Sequence, residues 1–208
     1  RSCPANKEYG YEGYFDGFAQ KKYYLGYHAD NRIRRESSSG GVCKTLIIDS
    51  LKNGMVDGAY SLKCTDSFPF AQGEFYTREH IPSFGDMPNS VYHSVMACTE
   101  IDRIQPCKRL MLVGTPCQLR ALNSIIKDKC DEVVRVCIFC KQQKTLDSTR
   151  FLAKMMGTSV PPNLKFRPRY RGDGWPGIVR VDGFELPYSR AAQIPFGKRL
   201  WTVPGCGI

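Results

Sequence analysis

The chain has 208 residues, of which 42% are hydrophobic and 24% charged. This length and hydrophobic content are enough for a folded domain with its own core. No apolar run approaches the roughly 18 residues that a membrane-spanning helix needs, and no secretory signal opens the sequence, so we expect a cytoplasmic protein. The net charge of +10 and the pI of about 9.2 favour an acidic partner, such as an anionic cofactor, an acidic protein or nucleic acid, although a basic, well-solvated surface would give the same values.

Apolar strand-like segments alternate with helical ones from residue 22 to residue 158. Strands are predicted at 22–28, 55–62, 109–114 and 132–139. Helices are predicted at 42–54, 90–104, 117–128 and 147–157, and a loop, perhaps with a hairpin, at 65–89. Gly54 and Gly157 are typical helix stops, and Thr145 or Asp147 is a candidate N-cap. The alternation predicts an α/β fold whose sheet is mixed and partly parallel, with flanking helices.

The character of the sequence changes near residue 158 and becomes rich in Pro, Gly and Arg. Residues 178–186 predict a hairpin whose turn is Asp182 and Gly183, so we expect a smaller β-rich C-terminal segment. Before it, four basic residues alternate along the chain and would share one face of a strand, followed by an aromatic residue that suits ring stacking. This basic stripe consists of Lys165, Arg167, Arg169 and Arg171, with Trp175 beyond it.

The chain contains ten cysteines, and their pattern favours metal or redox chemistry over a secreted disulfide framework. Cys117 follows the predicted strand 109–114 at the start of a helix, where free N–H groups favour a thiolate. Cys140 follows the next strand in the same way, so the two thiols are expected to face one crevice. Cys206 is a third candidate ligand, while Cys137 is interpreted as a core residue of its strand. Core positions are also expected for Cys43, Cys64 and Cys98.

A serine–glycine loop, residues 37–41, runs directly into the predicted helix at Val42. Glycines permit close approach of a ligand to the backbone, and hydroxyls with a helix N-terminus offer donors to phosphate. The loop lacks the Gly-Lys-Ser/Thr of a Walker A motif and the pattern G-x-G-x-x-G. It therefore predicts either a phosphate cradle or a serine N-cap after a flexible loop.

Together these motifs resemble the coenzyme F420 hydrogenase/dehydrogenase beta-subunit family. The resemblance follows the chain in order through "SSSGGV", "NGMVDGAYSL", "NSVYHSV", "MLVGTPCQLRAL", "VRVCIFC", "GDGWPG" and the terminal cysteine. It implies an oxidoreductase subunit with FAD and a [4Fe–4S] cluster. Such a subunit moves electrons between a deazaflavin of the F420 type, or a similar two-electron donor, and a redox partner protein or ferredoxin-like domain.

The same resemblance implies roles for particular residues and a division of the chain. Residues 1–20 would be the remnant of a ferredoxin-like segment, 21–158 a flavin-binding core, and 159–208 a hairpin and cluster-ligand segment that is apparently truncated. The implied cluster ligands are Cys117, Cys140 and Cys206, with a fourth ligand missing. The implied flavin-binding residues are Ser37, Ser38, Ser39, Gly40, Gly41, Tyr92, Thr115 and Gln118.

Two other classes of protein remain open on the residues alone. One is a cysteine-nucleophile enzyme that uses Cys117, which would need a base from among His28, His80 and His93. The other is a zinc-stapled basic domain that binds nucleic acid, which would be expected to carry paired C-x-x-C knuckles. The visible absorption of the purified protein distinguishes these classes from a flavin and iron–sulfur protein.

Overall fold

The computed structural model describes residues 20–67, 69–126, 128–140, 142–158, 169–172, 177–181, 183–198, 200–204 and 206. The helices in these residues are α1 (Asn31–Glu36), α2 (Val42–Lys52), α3 (Pro116–Ile126), α4 (Leu146–Met155) and α5 (Tyr188–Ala191), with a 3₁₀ turn at Ile101–Arg103 and a π-helical turn at Ala192–Phe196. The strands are β1 (Gly58–Cys64), β2 (Ala71–Thr77), β3 (Cys107–Gly114), β4 (Cys130–Cys137), β5 (Arg169–Gly172), β6 (Ile178–Val181) and β7 (Phe184–Pro187). Among the described residues, no helix is both long and apolar enough to cross a membrane.

The main sheet has four strands in the order β2-β1-β3-β4. Strands β1 and β2 form an antiparallel hairpin, whereas β1, β3 and β4 run parallel to one another. The predicted α/β fold with a mixed, partly parallel sheet is therefore confirmed. Residues 65–89, predicted as a loop with perhaps a hairpin, contain only one strand in their described part, β2, and its hairpin partner is β1, which precedes them.

Helices cover both faces of this sheet because successive strand residues point to opposite sides. On one face, Met111 of β3 packs with Ile47 and Leu51 of α2. On the other face, Leu110 and Leu112 of β3 pack with α3. Two separate apolar cores, one on each side, thus fix β3 in the middle of a three-layer arrangement.

A second, smaller sheet has three antiparallel strands in the order β5-β6-β7. The predicted hairpin at 178–186 is formed by β6 and β7. Val179 and Val181 of β6 pack against Leu152 of α4 and against Phe70, so residues on both sides of position 158 share one core. The smaller β-rich C-terminal segment predicted from the sequence is therefore present.

Two predicted elements are wrong. Residues 22–28 do not form a strand; His28 instead donates its backbone N–H to Gly40, and the Arg34 guanidinium lies over the Tyr27 ring. The helix predicted at 90–104 is replaced by turns because Met96 forms a parallel bridge with Gln72 at the open edge of β2. A sheet edge offers unpaired backbone groups, and pairing with them overrides local helix propensity.

Candidate functional site

The carboxyl ends of β3 and β4 lie side by side. Gly114, the last residue of β3, pairs in register with Cys137, the last residue of β4. The Ile138 N–H donates to the Gly114 carbonyl at 2.8 Å, which continues the pairing beyond the strands. Cys117 and Cys140 each follow these paired positions by three residues, so the sheet brings their segments to one edge, as the strand pattern predicts.

Cys117 lies in the first turn of α3, where Gln118 and Thr115 form one of the two hydrogen bonds of a capping box. The Gln118 side-chain oxygen accepts hydrogen bonds from the Thr115 N–H at 2.9 Å and from the Thr115 hydroxyl at 3.0 Å. Pro116 fills the first helical position, where no N–H is needed. Thr115 and Gln118 therefore shape the turn that presents Cys117, whose sulfur lies 3.4 Å from the Thr115 hydroxyl.

Cys140 interacts electrostatically with Cys117 and Cys206. Partial burial of its thiol, and then its interaction with these two cysteines, raise the pKa of Cys140. The three cysteines selected from the sequence therefore lie in one neighbourhood. Among the described residues, however, no three His, Cys, Asp or Glu side chains are arranged to hold a single metal ion.

Cys137 belongs to the same neighbourhood, and its interpretation as a core residue is wrong. It is exposed at the end of β4, and partial burial of its thiol together with the charge of Cys117 raises its pKa. The apolar neighbours Val136 and Ile138 suggested a buried position, but β4 is the last strand of the sheet among the described residues. We refer to Cys117, Cys137, Cys140 and Cys206 as the four-cysteine site.

Cys206 reaches this site through a C-terminal strap, formed by the described residues 198, 200–204 and 206, that pairs with residues 142–145. The Thr145 N–H donates to Trp201 at 2.7 Å, and the Val203 N–H donates to Gln143 at 2.9 Å. Lys144, which is only 2% exposed, anchors the strap from within. Its ammonium donates to the Lys198 carbonyl, the Leu200 carbonyl and the Thr202 hydroxyl, at 2.9, 3.2 and 3.0 Å.

The serine–glycine loop precedes α2 as predicted, and both of its glycines have left-handed backbones. Gly40 and Gly41 have φ of 79° and 82°, and a Cβ on either would lie about 3 Å from its neighbours, at 3.1 Å from Tyr27 and 3.0 Å from Ser37. Gly41 is the N-cap of α2 and provides no side-chain bond to the first N–H groups of the helix.

The three serines of the loop have different environments. Ser37 is buried and its hydroxyl donates to the Ile33 carbonyl, which closes α1. The Ser38 hydroxyl accepts the Ser90 N–H at 2.9 Å. Ser39 is exposed. The loop is thus partly a helix terminus and partly an open polar surface.

A cavity of about 210 Å³ lies beside this loop. Lys44 of α2 contributes to its wall and donates to the carbonyls of Phe84 and Met87, at 3.0 and 2.7 Å. Arg32 and Ser37 also line the cavity. A cationic wall next to a helix N-terminus suits an anionic group. Lys44 was not among the residues predicted from the sequence, although a lysine in the first turn of a helix after a glycine loop is a recognisable signal.

His93 lines the same cavity and is fully buried. Its Nε2 lies 2.8 Å from the Pro69 carbonyl and its Nδ1 lies 2.9 Å from the Thr149 hydroxyl. Since a carbonyl can only accept, Nε2 carries the proton and Nδ1 accepts from Thr149. Burial lowers the pKa of His93, which is therefore a neutral ring held between two elements.

Tyr92 packs against the core shared by α4 and β6, with its ring centroid 6.1 Å from that of Tyr188. Among the cysteines expected in the core, Cys43 is partly buried against the core between α2 and the main sheet, and Cys64 is partly buried. Cys98 is exposed in a turn, so the expectation for Cys98 is wrong. In the basic stripe, Arg169 and Arg171 lie on β5. Lys165, Arg167 and Trp175 lie outside the described residues, as do residues 1–19.

Comparison with known proteins agrees with the motifs. Residues 23–79 match the family model "Coenzyme F420 hydrogenase/dehydrogenase, beta subunit N-term". The resemblance to this family is confirmed. The matched residues include the serine–glycine loop, α2 and the β1–β2 hairpin. A search of the curated proteins gives no match to the chain.

The fold resembles a chain in the xenon-derivatised structure of the F420-reducing [NiFe] hydrogenase complex from Methanosarcina barkeri. The TM-score is 0.57 at 16% sequence identity, and the match covers 86% of this chain and 62% of that one. The chain thus spans less than two thirds of the length of that protein. At this identity the likeness establishes the shared fold.

Proposed function

We propose that the chain is an electron-transfer oxidoreductase module that uses FAD and a [4Fe–4S] cluster. In this proposal it moves electrons between a deazaflavin of the F420 type, or a similar two-electron donor, and a partner protein. The observation that carries the proposal is the four-cysteine site, in which three separate segments bring thiols to one edge of the sheet. The family model that matches residues 23–79 and the hydrogenase complex whose chain has a similar fold support the same class of reaction.

The four-cysteine site suits a cluster better than a single ion. In a [4Fe–4S] cluster each thiolate binds a different iron atom, so the ligands lie further apart than the ligands of one ion. Four thiols are the number required, and Cys137 supplies the ligand that the sequence analysis considered missing. A bound cluster would hold these thiolates against their mutual repulsion and would relay single electrons.

The residues around the serine–glycine loop suit part of a flavin dinucleotide. A cavity of about 210 Å³ accommodates a fragment of such a ligand, because whole small-molecule sites run from about 300 to 1,000 Å³. We propose that the first-turn N–H groups of α2 and the exposed Ser39 hydroxyl bind its phosphates, with Lys44 supplying positive charge. A flavin supplies the exchange between two-electron and one-electron transfer. Thr115 and Gln118 would act by holding the turn of Cys117.

The cysteine-nucleophile alternative receives less support from the geometry. A nucleophilic thiol needs a base within hydrogen-bond reach. Both ring nitrogens of His93 are engaged by Pro69 and Thr149, and His28 Nδ1 accepts the Asp30 N–H. The polar neighbour of Cys117 in the described residues is the Thr115 hydroxyl, which belongs to the cap.

The iron part of the proposal is tested on anaerobically purified full-length chain by visible absorption and iron analysis. We expect serine substitution of any member of the four-cysteine site to remove most of the iron. Cys98→Ser is the matched control, because Cys98 is exposed elsewhere and should keep the wild-type iron content. Wild-type protein that takes up no iron after reconstitution with iron and sulfide would overturn this part.

The flavin part is tested separately by the fluorescence of flavin released on heating. Ser39→Asp places a negative charge where phosphate is proposed to bind, and we expect it to lower flavin content at least tenfold. Ser124→Asp, at an exposed position of α3, is the control. Valine at Gly40 or Gly41 would be less informative, because left-handed backbones make that change disruptive without any ligand. Equal flavin content in Ser39→Asp and the control would contradict this placement.

A further inference from the structure

A second pair of cysteines lies at the opposite end of the same two strands. Cys107 is the first residue of β3 and Cys130 the first residue of β4, and the two are direct partners in the parallel register. Their sulfur atoms are 3.2 Å apart. Both residues are partly buried against the core on the α3 face, so a small reagent can still reach them.

This pair is separate from the four-cysteine site. Gly114 lies seven positions after Cys107 along β3, and Cys137 lies seven positions after Cys130 along β4. At a rise of about 3.3 Å per residue, the two ends are about 23 Å apart. The pair therefore needs an explanation of its own.

The strand register gives the pair the geometry of a cross-link. Neighbouring strands lie about 4.8 Å apart, within the Cα separation of about 4.4–6.8 Å that a disulfide requires. Because direct partners point to the same face of the sheet, both thiols already face each other. Closing the bond requires no rearrangement of the backbone ladder, which continues from these residues to the carboxyl ends of both strands.

The charges around the pair separate the roles of its two members. Burial, the hydrogen bond with Cys130, the charge of Cys130 and the carboxylates of Asp57 and Asp131 raise the pKa of Cys107 to about 12. Cys107 thus keeps its proton more firmly than an ordinary thiol does. The thiolate is the attacking species in thiol–disulfide exchange, so Cys107 is assigned the second, resolving step and Cys130 the first attack.

We propose that Cys107 and Cys130 are a redox modification site that forms a reversible disulfide by exchange with a low-molecular-weight disulfide. The Cys130 thiolate attacks one sulfur of the reagent, forming a mixed disulfide and releasing one thiolate. Cys107 then gives its proton to the first released thiolate and attacks the Cys130 sulfur, releasing the second thiolate, which takes a proton from water. Two cysteine thiols are oxidised and one reagent disulfide is reduced to two thiols, so atoms and electrons balance.

The cross-link would affect the turn that presents Cys117. It closes a loop from residue 107 to residue 130 that contains the whole of α3 and its capping box. Constraining a loop of this length restricts the unfolded chain and should raise the melting temperature by on the order of 10 °C. The pair would thereby couple the redox state of the surroundings to the stability of the β3–α3–β4 unit.

The test treats the full-length native chain with oxidised glutathione, blocks remaining thiols with an alkylating agent and digests with trypsin. We expect residues 104–108 (IQPCK) and 130–135 (CDEVVR) to appear as one linked peptide, lighter than the sum of its parts by two hydrogens. Dithiothreitol should restore the separate peptides. The melting temperature should rise in wild type and in Cys98→Ser but stay unchanged in Cys107→Ser.

Two results would overturn the proposal. One is recovery of both peptides alkylated, or of Cys130 carrying glutathione with no link to Cys107, after native treatment. The other is a linked peptide that forms only when the chain is denatured before oxidation. The peptide analyses after native and after denaturing treatment both use wild-type protein, so they remain informative even if the Cys107→Ser variant folds poorly.

Discussion

Lys144 is expected to control whether the C-terminal strap, and Cys206 with it, stays docked. The Lys144→Met substitution keeps the buried aliphatic stem and removes the ammonium that donates to the two carbonyls and the hydroxyl of the strap. A hydrogen bond to a charged group contributes about 1.5–3 kcal/mol. The acceptor residues Lys198 and Leu200 are exposed, so water replaces part of the loss, and we take about 1 kcal/mol per bond.

The resulting loss of about 3 kcal/mol in docking free energy corresponds to an increase of about 100-fold in strap opening. Native-state hydrogen exchange measures this directly. The Thr145 and Val203 amides bond across the junction, so both should exchange about 100-fold faster in Lys144→Met, while β3 amides such as Leu112 stay protected. If the cluster proposal is also right, iron content falls in the same variant.

The matched control is Lys154→Met, which removes an exposed lysine from α4. It should leave the exchange of both reporter amides unchanged. Unaltered exchange of Thr145 and Val203 in Lys144→Met would refute the anchoring role. A uniform acceleration that includes Leu112 would refute it too, since Lys144 would then stabilise the whole fold rather than the strap.

Three further outcomes are expected. Gly114→Ala places a Cβ 3.3 Å from Gln118, so it should disturb the hydrogen bonds between Gln118 and Thr115. We expect the free energy of unfolding, measured by urea titration, to fall by about 1 kcal/mol. Gly85→Ala, whose Cβ would have its nearest neighbour at 3.8 Å, should leave this free energy unchanged. Burial lowers the pKa of His93 below 6.5, so on acidification the unfolded chain takes up a proton at this residue before the folded chain does. The free energy of unfolding should therefore keep its full value above pH 6.5 and decrease below it. This decrease should be shallower in His93→Gln. Removing two charges of the basic stripe should flatten the salt dependence of flavin reduction by the partner without changing flavin content, and an unchanged salt slope would assign the stripe to solubility.

Local patterns in the sequence predicted most of the regular elements. Helix α2 has its apolar spacing and a glycine at each end, and α4 begins after Thr145 and is followed by Gly157, as expected. Strands β3 and β4 are apolar runs with a helix between them, which is the pattern of a parallel pair. These signals are readable because they depend on residues close together in the chain.

The errors arise where a distant partner decides the structure. Residues 90–104 have helical spacing, but the Gly73 N–H donates to the Met96 carbonyl and the Tyr60 hydroxyl donates to Ala97, which ties this segment to the sheet. Gly73 permits the approach, since a Cβ there would collide with Tyr60 and Ala97. No local feature of residues 90–104 reveals this edge.

The sequence by itself determined that cysteines follow two neighbouring strands and that a serine–glycine loop opens a helix, since both are local facts. Only the tertiary structure decided which thiols meet. The end of β4 exposes Cys137, the buried ammonium of Lys144 holds the strap that carries Cys206, and the strand register sets Cys107 against Cys130. Such contacts join residues that are 23 to 58 positions apart in the chain. Bringing distant residues together costs conformational entropy, so these contacts do not form until the sheet and its two cores have formed.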